Sequence, residues 1–216
     1  MTNFFTEARE PMSCWTHGMG AILFFVAGIV LIFHTAFKGN ETAMLLAVVI
    51  FVISLVALYG ASWIYHYMKA DPERILFWRK LDHAMIFVLI AGTYTPMCLY
   101  FFPGGRGLVF CLAMWLLAVL GIALKICRFE VPRWVSTAMY LFMGWIVIFF
   151  CRPIIDQSWK AFWLLLLGGL FYSVGAIIYA IKRPNITSVL GFHEIFHLFV
   201  ILGSLCHFIL IWCLLS

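Results

Sequence analysis

Long apolar runs separated by short polar stretches set the rhythm of this chain, at roughly 17–36, 42–66, 82–101, 107–127, 133–151, 159–181 and 192–215. Each is long enough, allowing for tilt, to cross a hydrocarbon core of about 30 Å, which takes about 20 residues of α-helix. A helix satisfies its own backbone N–H and C=O groups, as a segment in lipid must. The pattern predicts an all-α integral membrane protein, a bundle of seven transmembrane helices. No low-complexity linker, internal repeat or charged tail divides the runs, so residues 1–216 read as one domain whose chemistry is built from the spans and their ends.

Composition supports the same class. Hydrophobic residues make up 65% of the chain and charged residues 11%, and the mean hydropathy is +1.07, so polar side chains are too few to cover a water-facing surface. The first residues lack the basic start and small-residue cleavage site of a secretory signal, and the first span reads as a retained anchor. Lys and Arg then set the orientation. On the side shared by the N-terminus and the even-numbered loops lie Arg9, Lys69, Arg74, Arg79, Lys80, Lys125, Arg128, Arg133, Lys182 and Arg183. The opposite side has Lys38, Arg106, Arg152 and Lys160. Ten against four places the N-terminus in the cytoplasm and the C-terminus outside, in a multi-pass protein of the cell membrane.

The net charge of +5 comes from these residues, and a basic rim facing anionic lipid explains it without a nucleic-acid partner, for which no motif exists. Trp15, Trp63, Trp78 and Trp134 fall near the inner boundary and Trp159 and Trp163 near the outer one, where an interfacial belt belongs. The seven cysteines include no C-x-x-C pair and read as packing residues rather than a thiolate metal site.

Topology gathers the scattered polar residues. The second span runs inward and ends at Ser62-x-x-x-His66, the third begins inside at Asp82-His83, and the seventh begins inside at His193-Glu194-Ile195-Phe196-His197. His17 of the first span shares that depth, preceded by Glu10 and Ser13. Residues four apart lie on one helical face, so His193 and His197 form a ready ligand pair, and Ser62 and His66 share a face of the second span. Three imidazoles with one open position make the donor set of a catalytic zinc site, and Asp82 is the candidate carboxylate beside it. Ionisable groups inside a membrane are costly and are functional candidates by default. A lone histidine such as His34, His83 or His207 reads instead as a residue hydrogen-bonded to a neighbour. His193-Glu194-x-x-His197 also fits the pattern in which a glutamate serves as general base at zinc. Glu194 lies about 100° around the helix from His193 and equally suits a structural role facing the inner loops. Pro96 is expected to kink the third span.

These residues resemble the bacterial hemolysin III proteins, within the progestin and adipoQ receptor superfamily, and more distantly the alkaline ceramidases. The likeness covers essentially the whole chain. It rests on Glu10-x-x-Ser13-x-x-x-His17, on Ser62-x-x-x-His66 followed by Asp82, on His193-x-x-x-His197, and on Leu81-Asp82-His83-Ala84-Met85 through Ala91-Gly92-Thr93-Tyr94-Thr95-Pro96. Ser13 departs from the pattern, standing where the family usually has Asn. The resemblance implies zinc held by His66, His193 and His197, with Asp82 near the water that the metal holds and Ser62 as the accompanying polar group.

The reaction class expected from such a site is hydrolysis of a lipid-like amide or ester at the inner leaflet, with Asp82 and Ser62 as catalytic residues. The alternatives are a receptor or signalling protein with structural zinc, a membrane-perturbing haemolytic factor, a transporter, or an intramembrane metalloprotease. A retinal-type photoreceptor is excluded, because the seventh span has no lysine for a Schiff base. Membrane lipids are the expected surroundings; the sequence does not specify an oligomeric state.

Overall fold

The computed structural model describes residues 7–102, 104–127, 132–187 and 189–216. Among them the chain is helical, without strands: α1 (Pro11–Phe37), α2 (Thr42–Tyr67), α3 (Pro72–Phe101), α4 (Gly105–Cys127), α5 (Arg133–Trp145), a 3₁₀ segment (Ile146–Phe150), α6 (Arg152–Gln157), α7 (Trp159–Ile181) and α8 (Phe192–Leu215). Six helices are long and apolar enough to cross a membrane, and the shorter apolar stretch Trp134–Phe150 supplies the seventh segment of the bundle. Arg128, counted in the basic rim above, lies outside the described residues.

Sequential helices pack side by side, α1 on α2, α2 on α3, α3 on α4 and α7 on α8, and α1 meets α8 to bring the two ends of the chain together. The outer surface is greasy: Phe25, Val26, Phe33, Ile53, Leu112, Leu116 and Ile177 all stand exposed, as residues that face lipid do. The buried interior centres on Phe24, Phe51, Leu55, Tyr59, Phe87, Met114, Leu210 and Ile211.

Three helices differ from the hydropathy reading. Helix α1 starts at Pro11 rather than 17, with proline in its first turn where no N–H is missed. Helix α3 starts at Pro72, ten residues before the apolar run at 82. Its N-cap Asp71 accepts from the Arg74 N–H at 3.0 Å, and Pro72 follows at the first helical position. The added turns set Glu73, Arg74, Arg79 and Lys80 around Ile75 to Trp78, and those four charges keep them out of the apolar run. Pro96 lies inside α3.

The fifth span is not one α-helix to 151. After Trp145 it tightens to 3₁₀ pitch, and a short helix, α6, follows. Tyr94 of α3 stabilises the change. Its hydroxyl donates to the carbonyls of Met143 at 2.9 Å and Gly144 at 3.2 Å and accepts the Val147 N–H at 3.1 Å. A buried backbone group left unpaired costs about 1–3 kcal/mol, so these bonds favour the change of pitch.

Candidate metal centre

The polar residues converge at the end of the bundle where α1, α3 and α8 begin and α2 and α7 finish. The chain entering α1 is pinned there by backbone bonds, Arg9 N–H to the Tyr67 carbonyl at 3.3 Å and Glu10 N–H to the His66 carbonyl at 3.1 Å. Glu194 accepts from the Gly191 N–H at 3.0 Å, closing the first turn of α8, and its other oxygen accepts from the Ser13 hydroxyl at 2.6 Å. Glu194 thus joins α8 to α1 in a structural position. The serine that departs from the family pattern makes that link.

His66, His193 and His197 each turn a ring nitrogen toward one point, the three atoms lying within 4.8 Å of one another. The ring centroids are 5.0 Å apart for His66 and His193, 5.0 Å for His66 and His197, and 4.5 Å for His193 and His197. His66 and His197 are buried.

Hydrogen bonds fix which nitrogen faces inward. Nδ1 of His66 meets the Glu10 carboxylate, which can only accept, so Nδ1 carries the proton and Nε2 keeps its lone pair. Thr16 donates its hydroxyl to the Ser13 carbonyl at 3.0 Å, so it accepts from Nδ1–H of His197, also at 3.0 Å, and leaves that Nε2 bare. Burial pushes the Glu10 carboxyl up. The His66 hydrogen bond, with Arg9 alongside, outweighs this and holds the carboxyl below its ordinary range.

Zinc fits this donor set. Two nitrogens about 2.0–2.1 Å from one tetrahedral ion stand about 3.3–3.4 Å apart, and the Nε2 atoms of His66 and His193 are 3.3 Å apart. Two lone pairs facing each other at that distance repel unless a proton or a cation lies between them. Three neutral nitrogens, two with their tautomer set by an outer hydrogen bond, suit zinc and leave a fourth position open.

Two spaces meet at this centre. A pocket of about 370 Å³ at the end of the bundle is lined mainly by polar residues, among them Glu10, Arg79, His83 and Glu194, together with His66 and His193. On the other side a cavity of about 160 Å³ runs into the bundle between α3, α5, α7 and α8. Its polar end holds His17, Ser62, Asp82, His193 and His197, and beyond them the walls are chiefly apolar, with Leu58, Ile86, Leu89, Val147, Phe162 and Val200.

Asp82 and Ser62 thus line the same cavity as two of the three histidines. Asp82 pairs with Nδ1 of His83 at 3.2 Å, and that N–H also reaches the Arg79 carbonyl at 2.8 Å. The Ser62 hydroxyl is buried beside the Asp82 carboxylate, and His17 is buried with it. His17 lies flat on His197, with ring centroids 3.5 Å apart and planes 14° from parallel. His83 accepts from the Tyr179 hydroxyl at 3.3 Å, the hydrogen-bonded role expected of a lone histidine, whereas His34 stacks on Trp212 and its Nδ1 makes no hydrogen bond. Sequence reasoning gave no role to Thr16 or Glu10. The spacing of Glu10 from Ser13 and His17 flagged its motif, while nothing marked Thr16 as the partner of His197.

A bundle of apolar helices closed around three inward-facing imidazoles defines a multi-pass membrane protein with a candidate metal centre buried at one end. The chain belongs to the haemolysin-III-related family, whose sequence profile it matches over residues 5–208. It is 39% identical over 207 residues to hemolysin-3 of Bacillus cereus, covering 94% of this chain and 90% of that one. It is 36% identical over 214 residues to a hemolysin-3 homolog of Bacillus subtilis (strain 168), covering 97% and 96%. A more distant similarity, 25% identity over 226 residues, links it to an adiponectin receptor protein of Drosophila melanogaster, covering 95% of this chain and 50% of that one.

Proposed function

We propose that the protein is a zinc-dependent hydrolase of a lipid-like amide or ester, held in the cell membrane with its centre at the inner leaflet. The observation that carries this reading is the position of His193, on the wall of both the polar pocket and the apolar cavity. Water approaches from one side and an apolar chain from the other, and hydrolysis of a lipid needs both at one point.

Zinc at the three histidines would act as a Lewis acid on the carbonyl and lower the pKa of water at its open position. Asp82, whose carboxylate lies 3.2 Å from His83 Nδ1, would orient the attacking water and take its proton. The Ser62 hydroxyl, beside the Asp82 carboxylate in the same cavity, would donate to the oxyanion that develops at the carbonyl. Glu10 and Thr16 keep His66 and His197 in the tautomer that ligates. The apolar walls between α3 and α7 hold the chain and exclude bulk water.

The test is fatty-acid release from a panel of N-acyl lipids by zinc-loaded protein in lipid nanodiscs. Release that disappears in Asp82→Asn supports the reading. No release from any member of the panel, under conditions where an alkaline ceramidase is active, overturns it. The receptor reading makes the opposite prediction for Asp82, whose replacement would then leave cellular function intact while loss of the histidine ligands unfolds the protein.

A further inference from the structure

The inward-facing stripe of α8 does not end at the metal centre. His193, His197, Val200, Ser204 and His207 follow one another at intervals of three or four residues, so they share a face of the helix. His207 lies ten residues beyond His197, about 15 Å farther along the axis at about 1.5 Å per residue. It lines the same apolar cavity, together with Tyr172 of α7.

A polar group there needs partners, and this group has an incomplete set. The His207 ring is 8% exposed. Its Nε2 contacts the Leu165 carbonyl at 3.4 Å; a carbonyl can only accept, so Nε2 carries the proton and Nδ1 the lone pair. That Nδ1 is buried with no partner. Gly168 makes room for the ring, since a Cβ there would stand 2.5 Å from Nε2.

Beside it is a trio of hydroxyls. Tyr59 donates to Ser204 Oγ at 2.7 Å, and Ser204 and Tyr172 share a hydrogen bond at 2.8 Å. Three hydroxyl protons serve these two bonds, which leaves one proton spare on Ser204 or Tyr172. The Tyr172 ring centroid is 5.4 Å from that of His207. Tyr172 and His207 line the cavity and Ser204 backs Tyr172, so when Ser204 donates to Tyr172 the spare donor stands beside the spare acceptor on the cavity wall. An alcohol, which donates one hydrogen bond and accepts another, is their chemical complement.

We propose that His207 and Tyr172, the latter oriented by Ser204, form a subsite that recognises a hydroxyl carried partway along a lipid chain in the cavity. The proposal rests on reading the cavity as the seat of an apolar chain whose polar head lies at the metal centre. It makes the substrate class a chain-hydroxylated acyl lipid, with the hydroxyl about 15 Å from the head.

The test is competition binding by native mass spectrometry, with purified protein, stearic acid and two hydroxystearic acids, one hydroxylated at mid-chain and one beside the carboxyl. Because it reads binding, it is independent of turnover. The mid-chain hydroxy acid is expected to bind about 3–10-fold more tightly than stearic acid, the worth of one or two buried hydrogen bonds. The isomer hydroxylated beside the carboxyl gains nothing. In His207→Leu the advantage disappears while zinc content and stearic acid binding stay unchanged. Equal binding of all three acids to the wild type overturns the subsite and leaves the hydrolase reading standing, as does an advantage that persists in His207→Leu. Binding of none of them overturns both. If His207→Leu does not fold, the comparison of positional isomers on the wild type decides.

Discussion

Replacing Glu10 with alanine leaves all three ligands in place and removes the group that fixes the tautomer of one. The Glu10 carboxylate accepts Nδ1–H of His66. Its side chain is 44% exposed, and its backbone N–H bonds the His66 carbonyl at 3.1 Å, so the substitution makes no cavity and keeps the start of α1 attached. Without the carboxylate, His66 is free to move its proton to Nε2, the nitrogen needed at the metal, and its ring loses its orientation. Losing such an outer partner costs about 10–100-fold in metal affinity, or about 1.4–2.7 kcal/mol. Glu10→Gln keeps an acceptor but not the charge. A charge-assisted hydrogen bond is about twice as strong as a neutral one, so this variant should lose about 3–10-fold. Thr16→Val tests the same principle at His197, through the bond at 3.0 Å. The assay is a zinc competition titration against a chromophoric chelator in detergent micelles at fixed pH, with helicity followed by circular dichroism. If Glu10→Ala binds zinc within twofold of the wild type while keeping its helicity, the carboxylate does not orient His66 and the reasoning fails.

Other perturbations separate the parts of the site. Asp82→Asn should retain one zinc per chain by metal analysis and lose hydrolysis by about 100-fold or more, the size of a general-base contribution. Gly92→Ala would place a Cβ 2.3 Å from Ser54 Oγ and 2.6 Å from Ser54 Cβ, where α2 meets α3. Ser54 is held by its bond to the Phe51 carbonyl at 2.7 Å, so the helices must part; unfolding by sodium dodecyl sulfate titration should show a loss of about 1–3 kcal/mol. Acidification should release the ion, because each imidazole must be unprotonated to ligate and protons compete for the same lone pairs. Zinc affinity measured across a pH series should fall steadily as pH falls, and a flat profile would rule out a histidine centre.

Hydropathy alone was enough to locate the spans, because lipid imposes one demand on all of them. The i, i+4 spacing of His193 and His197, with an inward-running second span, was enough to bring His66 to the same place. The start of α3 at Pro72 was written in Asp71-Pro72, a capping signal that a search for apolar runs discards. The break in the fifth span was not legible. It depends on a tyrosine 49 residues away in sequence, whose hydroxyl satisfies the backbone of another helix. The partnership of Thr16 with His197 is of the same kind, 181 residues apart and set by how α1 lies against α8. His207 was read as a lone histidine bonded to a neighbour. The structure supplies that neighbour, the Leu165 carbonyl, and a second nitrogen that has none.

Metal content of the purified protein bears most directly on the three-histidine centre. Inductively coupled plasma mass spectrometry should find about one zinc per chain in the wild type and almost none in either His66→Ala or the His193→Ala, His197→Ala double variant, each still helical by circular dichroism. A wild type that takes up no zinc, or a His66→Ala variant that holds it as firmly as the wild type, would contradict a shared site built by α2 and α8.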